Sequence, residues 1–302
     1  MDFTNGKELL HCCGKHKLPI SGITRLREIE IGHVTEEEID QRLSKVYDIM
    51  SNSIKVPIRE PRKSIGGLIG GEGRAMMDHM TDYSGLSGRL LTKSIAYAMA
   101  VLEENASMGL IVAAPTAGSS GILPGVLMAF KEENNLGREA FYDGIMNAAA
   151  IGFLLTRNAS VAGAEAGCQA EVGSASAMAA SALVELMGGK PEVSLAAASL
   201  ALSNLLGLVC DPIAGLVESP CQSRNSIGAA NAVICAQMAL SGVRHPVPFD
   251  EMAEAMFRVG RSIPFALRET AMGGCAATPT GVKLRCRSVT NEKGGVLTPL
   301  SK

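Results

Sequence analysis

Apolar positions recur with a helical period over most of the chain. In VTEEEIDQRLSKVYDIM they stand three to four residues apart from Ile39 to Met50, which would form one apolar face of a helix. Thr35 precedes this run, and Glu38 lies three residues after Thr35, which is the arrangement of a capping box. The pattern predicts a helix in a polar N-terminal arm, residues 1–62, which would be either a peripheral arm or a docking helix.

Helical periodicity continues in the second part of the chain, where alanine is frequent and favours helix. Alternation typical of strands is almost absent, and GLIVAAP (109–115) is the only candidate. We therefore predict an all-α fold in which residues 63–285 form a single helical domain with Ala- and Gly-rich buried helices, followed by a flexible tail, 286–302. The predicted helices cover residues 92–106, 122–134, 138–156, 171–188, 193–208, 225–241 and 250–262.

Composition limits the class of protein further. The chain has 302 residues, a formal net charge of −2, 33 glycines and no tryptophan, so its core must use small and aliphatic side chains. A near-neutral chain without a basic block is not typical of nucleic-acid binding. The uncharged runs 105–130, 193–210 and 226–243 are rich in Ala, Ser, Asn or Gly and predict buried helices rather than membrane spans. The N-terminus is charged and has no apolar signal segment, which favours a cytoplasmic location.

A glycine-rich stretch, SIGGLIGGEGRAMMDHMTDYSGLSG, covers residues 64–88. Its glycines match neither the G-x-x-x-x-G-K-[ST] nor the G-x-G-x-x-G phosphate-binding pattern. We interpret it as a flexible loop, and a role as an active-site lid stays open. His79 in this stretch has no neighbours that indicate catalysis, so we interpret it as structural or exposed.

Two polar loops lie between apolar helices. APTAGSSGILPG (114–125) places a Gly/Ser turn before a helix, where free N–H groups and the helix dipole suit a carboxylate or phosphate. An ordinary helix cap without a ligand would produce the same pattern. RNASVAGAEAGCQAEVGSASAMAA (157–180) carries a density of polar groups that is costly to bury without a purpose.

Three of the eight cysteines lie at or near predicted helix ends, next to Gly, Pro or an acid. Cys168, Cys210 and Cys221 have the spacing C-x41-C-x10-C. In a reducing compartment, thiols indicate metal binding or catalysis more than disulfides. Three cysteines without a nearby histidine suit an iron–sulfur cluster with one open iron better than structural zinc, which takes four ligands. The spacing alone would also arise from unrelated buried cysteines.

Four motifs in order carry a family resemblance: APTAGSSGILPG, GCQAEVGSASAMAA, LGLVCDPIAGLVESPCQSRN with IGAANA, and ALRETAMGGCAATPTG. Together they resemble the α chain of the iron–sulfur-dependent bacterial L-serine dehydratase, from about Lys93 to Gly281. The resemblance implies a [4Fe–4S] cluster held by Cys168, Cys210 and Cys221. The fourth iron would act as a Lewis acid on the hydroxyl of L-serine, giving pyruvate and ammonia without pyridoxal phosphate.

The resemblance also suggests roles for the polar residues around the cysteines. The substrate carboxylate is assigned to the residues Thr116, Gly118, Ser119 and Ser120. Asn158 and Ser160 are candidates for the amino group or for outer contacts. Residues that flank the ligands and would orient the cluster or balance its charge are Gln169, Glu171, Asp211, Glu218, Arg224 and Asn225. An ordinary surface ion pair is the alternative for Arg224.

Single-chain members of this family carry an extra domain with a Ser-Ser-Ser-His-Thr type of motif, which this sequence lacks. The chain therefore resembles the α chain of a two-chain enzyme, a hetero-oligomer whose β chain supplies part of the site. The candidates for the α-proton base within this chain are Lys93 and Glu171. Activity on threonine or cysteine instead of serine, and a non-enzymatic iron–sulfur redox sensor, are the alternatives.

The other cysteines are interpreted as non-ligands. We expect Cys275 to contribute to packing, and the residues Cys12, Cys13 and Cys235 to be structural. Some relatives place a tail cysteine on the open iron at rest, and Cys286 is the candidate here, although we favour a non-ligand role.

Overall fold

Helices make up nearly all the regular structure in the computed structural model, which describes residues 2–82 and 86–289. No strand occurs among these residues, and one isolated parallel bridge joins Cys210 to Arg268. The predicted all-α fold is confirmed. The α-helices are α1 (Gly6–His16), α2 (Ile20–Glu30), α3 (Glu36–Arg59), α4 (Glu72–Asp82), α5 (Gly88–Ala106), α6 (Ile122–Glu133), α7 (Arg138–Asn158), α8 (Gly163–Ala166), α9 (Ser174–Leu186), α10 (Pro191–Asn204), α11 (Cys221–Leu240), α12 (Phe249–Ser262) and α13 (Pro279–Val289).

The seven helices predicted in the second part of the chain correspond to α5–α7 and α9–α12. The helix predicted from residue 171 begins as a π turn at Gln169–Gly173 before α9. The strand candidate 109–115 is irregular backbone, and no described strand lies beside it to pair with. The capping box at Thr35 and Glu38 is present at the start of α3.

Helix α9 is the centre of the core. Nearly all of its residues are buried, and it packs against α7, α10 and α11. Its side chains are mainly Ala and Ser, so neighbouring helices approach closely. The buried hydroxyl of Ser181 donates to Asn147 on α7 at 2.7 Å, and Asn231 on α11 donates to Ser176 at 2.9 Å. These bonds pair the buried polar side chains of Ser181 and Ser176 with amides on the neighbouring helices.

The N-terminal helices share this core instead of lying at its edge. Phe3, Leu9, Ile20 and Ile23 are fully or almost fully buried, and α2 packs on α7. Pro19 precedes α2 and offers no side-chain cap, so a carboxylate from α9, Glu185, accepts the N–H groups at the start of α2 instead. The N-terminal helices therefore dock on the core through their apolar faces, which fits the docking-helix alternative. The domain boundary at residue 62 stays a prediction.

The glycine-rich stretch is not one loop, because residues 72–82 form α4 along α5. Gly73 allows this approach, since a Cβ there would lie 3.0 Å from the backbone and side chain of Ala100. Residues 83–85 and 290–302, which include most of the predicted tail, lie outside the described residues. No helix in the described part of the chain is long and apolar enough to cross a membrane.

Candidate metal centre and active site

The three predicted ligand cysteines converge from distant parts of the chain. Cys168 directly precedes the π turn that leads into α9, Cys210 lies in the loop after α10, and Cys221 is the first residue of α11. All three are buried and none forms a disulfide. The sulfur atoms of Cys168 and Cys210 and a carboxylate oxygen of Glu171 lie within 4.8 Å of one another.

Cys210 and Cys221 line a cavity of about 250 Å³ together with Glu171. This volume suits a small polar substrate. The other residues that line the cavity are Thr116, Ala117, Gly118, Pro212, Val217 and Glu269.

Backbone hydrogen bonds hold the cysteine loops together. The N–H of Cys210 donates to Leu267 at 2.8 Å, and the N–H of Glu269 donates to the Cys210 carbonyl at 2.7 Å. The N–H of Gln169 donates to Leu208 at 2.9 Å, which joins the Cys168 turn to the Cys210 loop. Two of the cysteines are thus positioned by main chain, which limits how far either can move.

Asn225 joins the 116–121 loop to the start of α11. Its amide nitrogen donates to the carbonyls of Gly118 at 2.7 Å and of Cys221 at 2.9 Å. Its amide oxygen accepts the N–H of Gly121 at 3.1 Å. Asn225 is fully buried, and this single side chain sets the position of the polar loop relative to Cys221.

Arg224 and Asp211 form a buried ion pair beside the thiols, with Nη2 and Oδ1 2.6 Å apart. Arg224 Nη1 also donates to the Val209 carbonyl at 2.8 Å and lies 3.6 Å from Cys168 Sγ. The other Asp211 oxygen accepts the N–H of Cys275 at 2.6 Å. Arg224 is therefore not an ordinary surface ion pair. The side chain of Cys275 is exposed, so its expected packing role is wrong, and its backbone makes the contact instead.

The pKa values of the three thiols are shifted in different directions. A hydrogen bond from Cys210, assisted by the positive charge of Arg224, lowers the pKa of Cys168 against the effect of burial. The bond to Cys168 and burial raise the pKa of Cys210. Burial raises the pKa of Cys221 to about 12. Cys168 is thus the thiol that ionises first, and binding of a metal would displace the protons of the other two.

Glu218 ties the glycine-rich turn to the loop between Cys210 and Cys221. It accepts the Ser64 hydroxyl at 2.6 Å, the Gly66 N–H at 2.6 Å and the Leu68 N–H at 3.0 Å. A Cβ on Gly66 would lie 2.8 Å from the Glu218 carboxylate and closer still to the Leu216 side chain, so a larger residue here would displace the Glu218 carboxylate. The turn at residues 64–68 is thus ordered and holds the loop between Cys210 and Cys221 in place.

Glu171 faces the cavity beside the sulfurs. Its Oε1 accepts the hydroxyl of Thr116 at 2.7 Å. Burial raises the pKa of Glu171 to about 6, and the hydrogen bond from Thr116 opposes this only in part. A carboxyl group with this pKa gains and loses a proton near neutral pH, as a general base must.

Several predicted site residues do not line this cavity. Ser119 and Ser120 are buried, and their hydroxyls bond within their own loop, to Ala114 at 3.4 Å and to Ala117 at 2.8 Å. Lys93 forms ion pairs with Glu132 and Glu133 on α6, at 2.7 and 3.0 Å. These acids raise the pKa of Lys93 although burial opposes the shift, so it stays charged.

The remaining predicted residues have packing partners. Asn158 is exposed and donates to the Thr4 carbonyl at 2.7 Å. Ser160 donates to Glu165 at 2.6 Å. Gln169 is buried and connects the Met256 carbonyl, at 2.8 Å, to the Gly207 N–H, at 2.9 Å. Gln169 thereby holds the turn that carries Cys168 in place. None of Asn158, Ser160 and Gln169 lines the cavity.

Sequence reasoning missed Glu269 and the buried pair Glu103 and Gln222. Gln222, next to Cys221, donates to Glu103 at 3.0 Å, and Glu103 accepts the Gly73 N–H at 2.8 Å. The motif ALRETAMGG contains Glu269, and an acid inside a long family motif was the available signal. No local pattern pointed to the Glu103 contact, which joins residues more than a hundred positions apart.

Fold and site define an all-helical protein in which three buried thiols converge, and two of them line a cavity together with two carboxyl groups. The sequence profile of the family described as "Serine dehydratase alpha chain" matches residues 15–276. The "Probable L-serine dehydratase, alpha chain" of Bacillus subtilis is 45% identical over 282 residues, covering 93% of this chain and 94% of the relative. The "L-serine dehydratase, alpha chain" of Peptoniphilus asaccharolyticus is 46% identical over 279 residues, covering 92% and 96%.

The chain belongs to the serine dehydratase alpha chain family. A longer relative, the "L-serine dehydratase" of Helicobacter pylori, is 36% identical over 295 residues. That match covers 92% of this chain but 62% of the relative, which therefore contains a further region that the match does not include.

Proposed function

We propose that this chain is the α chain of an iron–sulfur L-serine ammonia-lyase, which converts L-serine to pyruvate and ammonia. The observation that carries the proposal is the convergence of three buried thiols beside Glu171, where Cys210 and Cys221 line the same small cavity as Glu171 and Cys168 lies next to Cys210. Family membership and the names of the similar chains from Bacillus subtilis and Peptoniphilus asaccharolyticus support the substrate.

The donor set fits a [4Fe–4S] cluster. Cys168, Cys210 and Cys221 are free thiols of three separate segments, and a three-thiol set leaves one iron without a protein ligand. Arg224 beside Cys168 offsets part of the negative charge that a thiolate-bound cluster brings. When bound, the cluster supplies a Lewis-acidic iron that makes the substrate hydroxyl a better leaving group.

The protein's own groups bind the substrate and move its proton. Thr116, Ala117 and Gly118 line the cavity at the start of a 3₁₀ turn. The Thr116 N–H donates to the Ser119 hydroxyl at 3.5 Å, so the N–H groups of Ala117 and Gly118, at the first positions of the turn, bind the substrate carboxylate. Glu171 takes the α-proton on a carboxylate oxygen, and Thr116 orients that carboxylate. Loss of this proton and of the β-hydroxyl gives water and 2-aminoacrylate, which tautomerises and hydrolyses to pyruvate and ammonia.

Bracing residues keep the site rigid. Asn225, Gln169 and Glu218 each join a ligand-bearing segment to another part of the chain, and Asp211 holds Arg224. Such preorganisation keeps the base and the ligands in place without cost at the moment of reaction.

We further propose a separate β chain that completes the site in a hetero-oligomer. The support is the "alpha chain" naming of the similar proteins and the unmatched region of the longer Helicobacter pylori relative. Free thiols at the site are consistent with the reducing cytoplasm, which we propose as the location.

The test is anaerobic purification of the α chain with its partner chain, followed by iron, sulfide and pyruvate assays. Cys168→Ala, Cys210→Ala and Cys221→Ala should each lose the cluster and the turnover of L-serine. Cys275→Ala, which changes an exposed thiol, is the matched control and should keep both. A wild-type enzyme that carries the cluster and leaves L-serine unchanged would refute the proposed substrate. Faster turnover of L-threonine or L-cysteine would indicate a different substrate, and a cluster without any turnover would indicate a sensor.

A further inference from the structure

A second acidic side chain, Glu269, lines the cavity and takes no part in the steps above. It follows the 3₁₀ turn Phe265–Leu267, and its N–H donates to the Cys210 carbonyl at 2.7 Å. Its φ of 62° lies in the left-handed region, which is uncommon for a residue with a Cβ. The backbone of Glu269 is thus fixed directly beside a metal ligand.

No cationic side chain among the described residues that line the cavity is available to pair with the Glu269 carboxylate. None of the residues that line the cavity in the described part of the chain is a Lys, Arg or His. Arg224, the cation beside the cysteines, is already bound to Asp211 and to the Val209 carbonyl. Within the described residues, the Glu269 carboxylate is exposed and has no hydrogen-bond or ion-pair partner.

The two acids of the cavity have different surroundings. Glu171 is half-buried and accepts a hydrogen bond from Thr116, so it suits proton transfer. Glu269 is exposed to the cavity and solvent and therefore stays ready to accept hydrogen bonds from a cation. A cation that enters a cavity lined by thiols and two carboxyl groups would be attracted electrostatically.

We propose that Glu269 binds the ammonium group of the amino-acid substrate. The inference rests on the proposed function, because it needs an amino acid in this cavity. With the carboxylate on the 116–118 segment and the ammonium on Glu269, two groups on the α-carbon are fixed. Glu171 at the α-hydrogen provides the third contact, and three contacts are the number needed to distinguish enantiomers.

The test compares L-serine with glycerate of the same configuration, in which a hydroxyl replaces the ammonium group. In the cluster-loaded enzyme with its partner chain, Glu269→Gln should raise KM for L-serine about tenfold to a hundredfold, the range of a charge-assisted hydrogen bond. The inhibition constant of glycerate should change less than about threefold, because that ligand has no cation. The preference for L-serine over glycerate should therefore fall in Glu269→Gln. In Glu269→Asp, which keeps the negative charge, most of this preference should remain.

Glu254→Gln, on the exposed face of α12, is the matched control and should change neither constant. An unchanged KM for L-serine in Glu269→Gln, or equal weakening of L-serine and glycerate, would overturn the proposal, since a structural role weakens both ligands alike. If Glu269→Gln does not load the cluster, Glu269→Asn serves as the neutral variant, because Asn tolerates the left-handed region. If wild-type enzyme does not turn over L-serine, the proposed function fails separately, and calorimetric binding of the two ligands still decides the role of Glu269.

Discussion

Gly163 is the position where adding one methyl group tests the assignment of the base most directly. The residue begins α8, and a Cβ built on it would lie 2.4 Å from Glu171 Oε2 and 3.3 Å from Cys210 Sγ. Its φ is not in the left-handed region, so Gly163→Ala introduces a steric contact without backbone strain. A relaxed contact is roughly 3.5 Å, so the Glu171 carboxylate must move by about 1 Å.

A displacement of about 1 Å costs on the order of a hundredfold in rate, or about 2.7 kcal/mol of transition-state stabilisation. We therefore expect Gly163→Ala to lower kcat for L-serine about a hundredfold. Initial rates of pyruvate formation measure this in the anaerobic enzyme, normalised to the iron bound per chain. Normalisation separates a displaced base from a lost cluster, since Cys210 is also close to the new methyl group.

Gly14→Ala is the matched control, because a Cβ there meets nothing within 4 Å. In the double variant Gly163→Ala with Glu171→Asp, the shorter acid is already withdrawn, so the two losses should not add. Wild-type kcat in cluster-loaded Gly163→Ala would refute the reasoning, since it would mean that the position of Glu171 does not set the rate. Fully additive losses would likewise separate Gly163 from Glu171.

Three further predictions concern Glu171, Arg224 and Glu218. Because Glu171 must be ionised to act as a base and its pKa is raised to about 6, kcat/KM should fall below that pH and level off above it; a profile that is flat down to pH 5 would contradict this. Arg224→Gln leaves the buried Asp211 carboxylate unpaired and should destabilise the chain by about 3 kcal/mol in denaturant unfolding, whereas the exposed Arg258→Gln should change little; equal effects would contradict it. Glu218→Gln places an amide opposite N–H donors and should speed hydrogen exchange in residues 64–68, measured by mass spectrometry, and unchanged exchange would show that Glu218 does not hold this turn.

The sequence was sufficient for the helices because their signals are local. Periodicity of apolar residues, alanine content and the capping box at Thr35 depend only on neighbours along the chain, and they located α3, α5–α7 and α9–α12. The same local reasoning did not decide how residues 1–62 pack, and it failed for residues 72–82. A polar stretch with one apolar face does not show whether that face is buried, and glycine predicts a loop as readily as it permits the contact between Gly73 and Ala100.

The chemistry of the site divides in the same way. The sequence by itself determined which residue types were available: three cysteines at helix ends, the 116–121 loop, and the acids beside them. Only the tertiary structure decided which of these meet, because hydrogen bonds between distant segments, such as those of Asn225 and Glu218, set the loop positions. The tertiary structure brought Glu171 and Glu269 to the cavity, and it paired Lys93 on α5 with acids on α6. The burial and the bonding partners of a side chain depend on packing that no local pattern encodes.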